Sequence, residues 1–380
     1  MKSGYLRTAS TFVQGAQTLA QRYYSSPALL DEEIEQLFRR RWMWVGRSDE
    51  LPNAGDYLLF EKFGESVVVT RTKRGGVTAF YNVCRHRGTR MCGEPRGTFS
   101  ETIQCPYHAW TYSASDGRLI GAPHMNEVEG FSRDDFGLHA ASVHEWEGWI
   151  FVSLSRQPIA FEDAMAPVLT TFSRFNLAAL RRVERRTYDI RANWKLILQN
   201  YNECLHCPTI HPELSRVLPY TSGANDLFEG EFLGGYMEIL EPNESATLGG
   251  KACGVPIGDL PDDDRRRAYY YSLFPNMMLS IHPDYVNYYS VWPVREDRSI
   301  VVTEWMQHPD SLAGGYSPQS AIDFWDLTNR QDWHICEQGQ LGIASRVYEP
   351  GPYSPRESIP AAWDRAYLSA MGHPGSSNAS

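Results

Sequence analysis

Short apolar runs separated by glycine-containing turns fill the chain from Asp56 to Leu154. Residues 65–71 and 76–82 are rich in valine, threonine and aromatic side chains and flank a turn at 73–75, which predicts two paired strands. Asp116-Gly117 predicts a second hairpin, because this dipeptide favours tight turns. The pattern indicates a small all-β domain.

Beyond residue 155 the pattern changes. A helical stretch is expected after Pro158, and a long helical periodicity runs from Gln319 to about Arg346. Between them lie apolar, β-branched and aromatic runs that predict strands around 277–281, 288–292 and 301–305. Helices packed on an antiparallel sheet make this part α+β.

The N-terminal segment predicts a helix of its own. Ser26 precedes Pro27, a residue favoured in the first helical turn, and an amphipathic run from Leu29 to Phe38 follows. We therefore divide the chain into an N-terminal helical segment packing on the larger α+β domain, a small β domain, the α+β domain itself and a disordered tail. Their expected limits are 1–40, 41–155, 156–370 and 371–380.

Composition narrows the classes of function. The chain has 380 residues, a formal net charge of −10 and no long basic run, which argues against a nucleic-acid partner. No apolar run approaches the length of a membrane span. Seven cysteines without a secretory signal make a disulfide framework unexpected and indicate a cytoplasmic protein.

Two cysteine–histidine pairs stand in the β domain, Cys84-Arg-His86 and Cys105-Pro-Tyr-His108. A structural zinc site uses the same residue types, but zinc knuckles favour two ligands of one kind. Here each loop supplies one thiolate and one imidazole. That is the pattern of a [2Fe–2S] cluster in which one iron takes both sulfurs and the other takes both imidazoles.

A second group of candidate ligands surrounds residue 206. Glu203 and His206 are three residues apart and are expected to share a helix face. Pro208 and Pro212 would break the helix and let His211 turn back toward the same point. Two imidazoles and a carboxylate form the facial triad of non-haem Fe(II) oxygenases.

The carboxylate of that triad would have to come from a distant element. Asp332 on the late helix is a candidate, although alone it would be interpreted as a solvated residue. Cys204 and Cys207 could form a redox C-x-x-C motif, but no thioredoxin-like strand precedes them. We interpret both as packing residues.

Over nearly its whole length the chain resembles the catalytic α subunit of Rieske non-haem iron oxygenases. The resemblance rests on Cys-x-His…Cys-x-x-His at 84–108 and on acid-x-x-His-x4-His at 203–211. It implies an all-β Rieske domain and a helix-grip, START-like catalytic domain. It also implies the ligand sets, which are Cys84, His86, Cys105 and His108 for the [2Fe–2S] cluster and His206, His211 and Asp332 for a mononuclear iron.

The resemblance further implies that the acid at 203 bridges a Rieske histidine of one subunit and His206 of its neighbour. Most ring-hydroxylating members have Asp at this position, whereas this chain has Glu203. The implied partners are O2, a small organic substrate and an NAD(P)H-dependent flavin or iron–sulfur reductase. The implied assembly is a cyclic homo-oligomer, with a trimer expected.

Residues 200–208 and 273–285 resemble the branch that oxidises quaternary ammonium compounds such as carnitine and glycine betaine. Monooxygenation with N-demethylation is then the expected reaction. An aromatic-ring hydroxylase and a non-catalytic Rieske electron carrier remain alternatives. Aromatic faces suit a quaternary cation, and the candidates are Tyr269, Tyr270, Tyr271, Tyr285, Tyr288, Tyr289, Trp292 and Trp305.

Overall fold

The structure is a computed structural model that describes residues 4–373. The chain divides into two compact units. Phe38–Met165 forms one, and the residues before Phe38 join those from Ala166 onward in the other. The expected limits of the domains at 40 and 155 lie near these divisions, and they stay predictions. Of the predicted tail, residues 374–380 lie outside the described part, whereas Met371 follows the last helix and is buried.

Strands make up most of the regular structure. In chain order they are β1 (Leu6–Arg7), β2 (Met43–Arg47), β3 (Asp56–Lys62), β4 (Glu65–Arg71), β5 (Val77–Tyr81), β6 (Arg96–Thr98), β7 (Thr102–Gln104), β8 (Thr111–Ser113), β9 (Leu119–Gly121), β10 (Ala140–Trp146), β11 (Trp149–Ser153), β12 (Arg181–Ile190), β13 (Ala224–Leu227), β14 (Phe232–Glu238), β15 (Arg267–Leu273), β16 (Met277–Ile281), β17 (Val286–Arg295) and β18 (Arg298–Gln307).

The helices are mostly short, with one long exception near the C-terminus. They are α1 (Arg22–Ser25), α2 (Pro27–Glu33, continued by a π-helical turn Ile34–Phe38), α3 (Phe161–Ala164), α4 (Trp194–Tyr201), α5 (Cys207–Ile210), α6 (Pro212–Val217), α7 (Pro309–Ala313), α8 (Gln319–Ile343) and α9 (Ser358–Ala370). Among the described helices none combines the length and apolarity needed to cross a membrane.

From residue 43 to residue 153 the unit Phe38–Met165 consists of β-strands joined by loops and short 3₁₀ turns, as predicted, and α3 follows them. A seven-stranded antiparallel sheet has the order β2-β11-β10-β5-β4-β3-β6, and a three-stranded sheet has the order β7-β8-β9. Gly117 turns the predicted hairpin between β8 and β9 with φ of +74°. A Cβ atom at this position would lie 2.6 Å from Phe80 Cε1. Glycine is therefore required at this turn for its backbone and for its size.

The second unit contains an eight-stranded antiparallel sheet of order β1-β13-β14-β15-β16-β17-β18-β12. Helix α8 lies against it, since Trp325 Nε1 donates to Tyr285 Oη (2.7 Å) and Tyr289 Oη donates to Asn329 Oδ1 (3.2 Å). This confirms the predicted α+β fold. The helical stretch expected after Pro158 is reduced to α3, because Pro167 disfavours helical backbone at the residue before it.

Helix α2 begins where the sequence predicts, with Ser26 Oγ accepting from the Leu29 N–H at 3.3 Å. Its Glu33 is completely buried. The Glu33 carboxylate accepts from Lys195 Nζ (2.5 Å), Trp194 Nε1 (2.7 Å) and Tyr367 Oη (2.5 Å). One buried carboxylate thus joins α2 to α4 and α9.

Replacing Lys195 by Met is expected to lower the free energy of unfolding by roughly 3–5 kcal/mol, because the Glu33 charge would stay buried without its cation. The double variant Glu33→Gln/Lys195→Met should recover part of that loss. Urea unfolding followed by circular dichroism measures both. Arg298→Met at the exposed Asp189–Arg298 pair is the control and should change little. Equal losses in Lys195→Met and the control would contradict this role.

Candidate active site

Two similar loops carry the cysteine–histidine pairs of the β unit. In the first, the Gly88 N–H donates to Cys84 O at 2.9 Å, and in the second the Ala109 N–H donates to Cys105 O at 3.1 Å. Both donors have left-handed backbone, with φ of +75° for Gly88 and +56° for Ala109. The two loops therefore fold back at the same position after each cysteine, although only one has the glycine that this conformation favours.

The two cysteines of these loops are more deeply buried than the two histidines. Cys84 and Cys105 are each only 2% exposed, whereas His86 is exposed and His108 is half-buried. The two imidazole rings lie 4.8 Å apart between centroids, and His86 stacks on Trp110. Burial raises the pKa of the Cys84 thiol, while burial and the neighbouring His108 lower the pKa of His86. An inner thiol pair facing an outer imidazole pair fits a [2Fe–2S] cluster with mixed ligands.

Tyr112 adds a contact that the sequence analysis missed. Its hydroxyl lies 3.3 Å from Cys84 Sγ and accepts from the Arg85 N–H at 3.0 Å. With the oxygen accepting from the backbone, the hydroxyl hydrogen is free to point at sulfur. Hydrogen bonds to cluster sulfurs tune the reduction potential.

Glu203, His206 and His211, from the second group of candidate ligands, lie outside the helices α4, α5 and α6. Helix α4 ends at Tyr201, because Asn202 Nδ2 donates to Leu198 O at 2.8 Å and satisfies a carbonyl of the last turn. Glu203 and His206 therefore do not share a helix face, and that prediction was wrong. They meet across a turn instead, where the Glu203 carboxylate accepts from the N–H groups of Leu205 and His206 and contacts His206 Nδ1.

His211 lies between α5 and α6, each of which has a proline in its first turn. Its backbone, with φ of −123° and ψ of 71°, is not helical, as expected of a residue beside Pro212. His211 Nδ1 lies 2.7 Å from Gln331 Oε1, and because that oxygen only accepts, Nδ1 carries the proton. The Nε2 lone pair of His211 is then left for a metal.

Asp332 of α8 completes this group. Its Oδ1 lies 2.8 Å from His211 Nε2 and 3.3 Å from His206 Nε2, and one ligand atom from each residue falls within 4.8 Å of the others. Both imidazoles thus turn Nδ1 outward and Nε2 inward. This donor set, two imidazoles and one carboxylate, fits non-haem iron.

The charges of the site also fit a cation. Burial opposes protonation of His206, but hydrogen bonds to Asp332 and Glu203 outweigh it and raise its pKa to about 10. Burial raises the pKa of Asp332, and its hydrogen bonds to His206 and His211 more than reverse this, so that the pKa is lowered overall. Two carboxylates around one imidazole favour positive charge at the point where the Nε2 atoms converge.

A cavity of about 120 Å³ opens beside Asp332. Trp325, Thr328 and Asp332 line it from α8, spaced so that they share one helix face. The remaining wall mixes three kinds of side chain: aromatic (Tyr201, Tyr220, Tyr236, Tyr270), apolar (Leu205, Leu214, Met237, Ile359) and polar or charged (Asn200, Asn202, Asn225, Glu203, Arg356), with the paired glycines Gly234 and Gly235 of β14.

Comparison with known proteins identifies the family. The Rieske [2Fe-2S] domain family matches residues 41–132, and the ring hydroxylating alpha subunit (catalytic domain) family matches residues 177–373. The glycine betaine monooxygenase oxygenase subunit of Chromohalobacter salexigens is 31% identical over 90% of this chain and 82% of its own. This chain belongs to the Rieske non-haem iron oxygenases.

Two further relatives agree with this assignment. The carnitine monooxygenase oxygenase subunit of Escherichia coli is 36% identical over 53% of this chain and 54% of its own length. A crystal structure of a quaternary ammonium Rieske monooxygenase shares the fold with a TM-score of 0.79, at 23% identity over 96% of this chain and 97% of that one.

Family membership confirms several expectations. As a Rieske oxygenase the chain uses a [2Fe–2S] cluster and a mononuclear iron, and it is an oxidoreductase that incorporates oxygen from O2. The match to a catalytic domain contradicts the alternative of a Rieske electron carrier without one. We propose that Cys84, His86, Cys105 and His108 hold the cluster and that His206, His211 and Asp332 hold the mononuclear iron.

The predicted aromatic pocket of this oxygenase was largely misplaced. Of the eight aromatic side chains predicted, all within the described chain, Tyr270 alone lines the cavity. Its neighbours on β15 point to the other face, where Tyr269 packs on Phe175 and Tyr271 on Phe172. Because successive side chains of a strand point to opposite faces, the sequence already indicates that Tyr270 faces away from Tyr269 and Tyr271. The spacing of Trp325, Thr328 and Asp332 on one helix was a second signal that the sequence analysis did not use.

The cysteines beside His206 also differ from the prediction. Cys204 and Cys207 form a disulfide, so the interpretation of both as packing residues was wrong. The Cys207 N–H donates to Cys204 O at 3.2 Å, and this turn brings the two side chains together. Cys84, Cys92, Cys105, Cys253 and Cys336 are free and buried.

Replacing His211 by Ala is expected to remove the mononuclear iron and leave the cluster in place, since the two ligand sets share no residue. Iron analysis should fall from close to three atoms per chain to two, with the Rieske absorbance and EPR signal unchanged. His334→Ala on the same helix as Asp332 is the control and should retain three. Full iron content or substrate hydroxylation in His211→Ala would show that this ligand is wrongly assigned.

Proposed function

We propose that this oxygenase hydroxylates an N-methyl group of a quaternary ammonium compound. The observation that carries the proposal is the cavity beside Asp332, whose wall contains Tyr201, Tyr270 and Trp325. The glycine betaine and carnitine monooxygenase subunits that resemble this chain support the same class of substrate. An aromatic-ring hydroxylase is the alternative, and the amides and charged groups that share the cavity with its aromatic and apolar side chains favour a charged substrate over a hydrocarbon ring.

The aromatic wall suits a cation that cannot donate hydrogen bonds. Tyr270 lies between two other rings, 6.3 Å from Tyr201 and 6.3 Å from Trp325 between centroids. Trp325 Nε1 and Tyr201 Oη are engaged with Tyr285 and Ser280, which fixes the orientation of both rings. A quaternary ammonium group is held by such faces through the ring quadrupole. The carboxylates of Glu203 and Asp332 also line the cavity and add negative potential to it.

The reaction follows from this placement. An iron held by His206, His211 and Asp332 would supply O2 activation, with two electrons arriving through the cluster and two protons from solvent. One oxygen atom would enter a C–H bond of the N-methyl group and the other would leave as water. The resulting N-hydroxymethyl group breaks its C–N bond and releases formaldehyde and the demethylated amine. The aromatic wall holds the methyl group next to Asp332 and excludes water from it.

We propose that Glu203 connects the two iron sites across a subunit interface. Its carboxylate contacts His206 Nδ1, so a neighbouring subunit that presents its half-buried His108 would complete a path from His108 through Glu203 to His206. This role requires a cyclic homo-oligomer, and a trimer without a second subunit type is proposed. An NAD(P)H-dependent reductase loads the cluster, which fits a cytoplasmic location.

The substrate class can be tested with the enzyme reconstituted with such a reductase. Glycine betaine and carnitine should stimulate NADH oxidation with one formaldehyde per NADH, whereas benzoate and phthalate should not. Stimulation by the aromatic acids alone would favour a ring hydroxylase. Trp325→Leu should raise KM for glycine betaine about 3- to 30-fold, as expected for loss of a desolvated cation–π contact, and Trp325→Phe should raise it less. The isostere 3,3-dimethylbutanoate, in which a neutral tert-butyl group replaces the trimethylammonium group, is the control, because its affinity should depend less on this ring.

Glu203→Gln tests the proposed bridge. Neutral Gln cannot accept from two imidazoles as strongly as a carboxylate, so electron transfer should slow by orders of magnitude while iron content stays unchanged. Single-turnover stopped flow on the prereduced variant, with substrate and O2, follows reoxidation of the cluster. Glu213→Gln in α6 is the matched control. Reoxidation of Glu203→Gln at the wild-type rate would rule the bridge out.

A further inference from the structure

Arg356 brings a guanidinium group to the same cavity that Asp332 lines. It stands in a 3₁₀ turn, Pro355–Glu357, between α8 and α9, and is half-buried. Its guanidinium carbon lies 5.8 Å from the centroid of the Tyr220 ring, which also lines the cavity. The chain therefore places a cation inside a cavity whose other charged residues are acids.

The turn that carries Arg356 is held in place at several points. The Ser354 N–H donates to Glu357 Oε2 at 2.8 Å, closing the turn on itself. The next residue, Ser358, donates from Oγ to Thr8 O (2.9 Å) and accepts from Thr11 Oγ1 (2.9 Å). Arg356 is thus presented from a backbone that is tied to the 3₁₀ turn Thr8–Thr11, which follows β1.

The charged side chains that line the cavity differ in whether they have hydrogen-bond or ion-pair partners. Asp332 contacts His206 and His211, and Glu203 contacts His206. Arg356, in contrast, has no hydrogen bond or ion pair with any residue between 4 and 373, and its ring contact with Tyr220 offers no acceptor for its N–H groups. A guanidinium carries five donors in a planar fork, and the nitrogens of Arg356 are not among the buried unpaired atoms of the described residues, so its fork is open to a ligand in the cavity.

We propose that Arg356 binds a carboxylate of the substrate, so that the enzyme takes zwitterionic betaines and discriminates against quaternary ammonium alcohols such as choline. The inference rests on the proposed function, which supplies the cationic end of the substrate. A carboxylate matches the guanidinium fork with two parallel hydrogen bonds. With the carboxylate at Arg356 and the ammonium group at Tyr270 and Trp325, the substrate would lie in the cavity that Asp332 also lines.

The pairing also explains why the cavity carries opposite charges. A choline-like ligand would satisfy the aromatic wall but leave the guanidinium without an acceptor. A simple carboxylic acid would satisfy Arg356 but leave the acidic, aromatic end without a cation. Only a ligand with both charges matches both ends, and a polar site rejects an analogue that leaves its groups unpaired.

Calorimetric titration of the oxidised holoenzyme, without reductant and therefore without turnover, tests the proposal directly. Wild type should bind glycine betaine more tightly than choline. Arg356→Gln should weaken glycine betaine binding roughly 10- to 100-fold, the range expected for losing charge-assisted hydrogen bonds, and leave choline binding unchanged. Arg356→Lys should recover part of the loss, because it restores the charge but not the fork.

Arg346→Gln, the same change at an exposed arginine outside the cavity, is the matched control and should bind both ligands as wild type does. Thermal unfolding and cluster absorbance establish that each variant is folded and loaded. If wild type binds both ligands and Arg356→Gln changes neither affinity, the carboxylate site is overturned while the proposed function stands. If wild type binds neither ligand, the proposed function and this inference both fail.

Discussion

The Asp332 carboxylate lies between the Nε2 atoms of His206 and His211, and the surrounding catalytic unit is arranged to keep it there. Its negative charge is buried, so it requires a cation or two protonated neighbours. Glu203 and Gln331 occupy the Nδ1 atoms of the two imidazoles and thereby direct both Nε2 atoms inward. A metal ion between the Asp332 carboxylate and the two Nε2 atoms would bind all three groups at once. Neither a protein group nor a water molecule does this as well.

This arrangement needs elements from distant parts of the chain. Helix α8 brings Asp332, while the irregular segment between α4 and α6 brings both histidines. The irregularity is functional, because a continuous helix would separate His206 from His211 by an angle that a single metal cannot span. Asn202 ends α4, and the prolines at 208 and 212 restart short helices in new directions. The proposed position of the metal therefore depends on breaks in the helix as much as on the proposed ligands.

The pattern of apolar residues and turns correctly predicted elements whose limits depend mainly on neighbouring residues. Strands β4 and β16 have the predicted limits, because an alternating or continuous apolar run between turns leaves little freedom. The ligand residues were identifiable because their spacing is specific. The residues that line the pocket could not be identified from the sequence. Whether Tyr270 or Tyr271 faces Asp332 depends on the register of β15 in an eight-stranded sheet. Arg356 gave no signal at all, because a residue in a short turn joins the cavity only through tertiary packing. The Cys204–Cys207 bridge likewise depends on a turn that the helical periodicity did not predict.

The central claim is that a metal held by His206, His211 and Asp332 lies next to the aromatic wall that receives the N-methyl group. Paramagnetic relaxation tests it without turnover. With Co(II) in the mononuclear site, the N-methyl protons of bound glycine betaine should relax much faster than its methylene protons, and this enhancement should vanish in Asp332→Ala. Equal relaxation of both groups, or enhancement that survives in Asp332→Ala, would contradict the account.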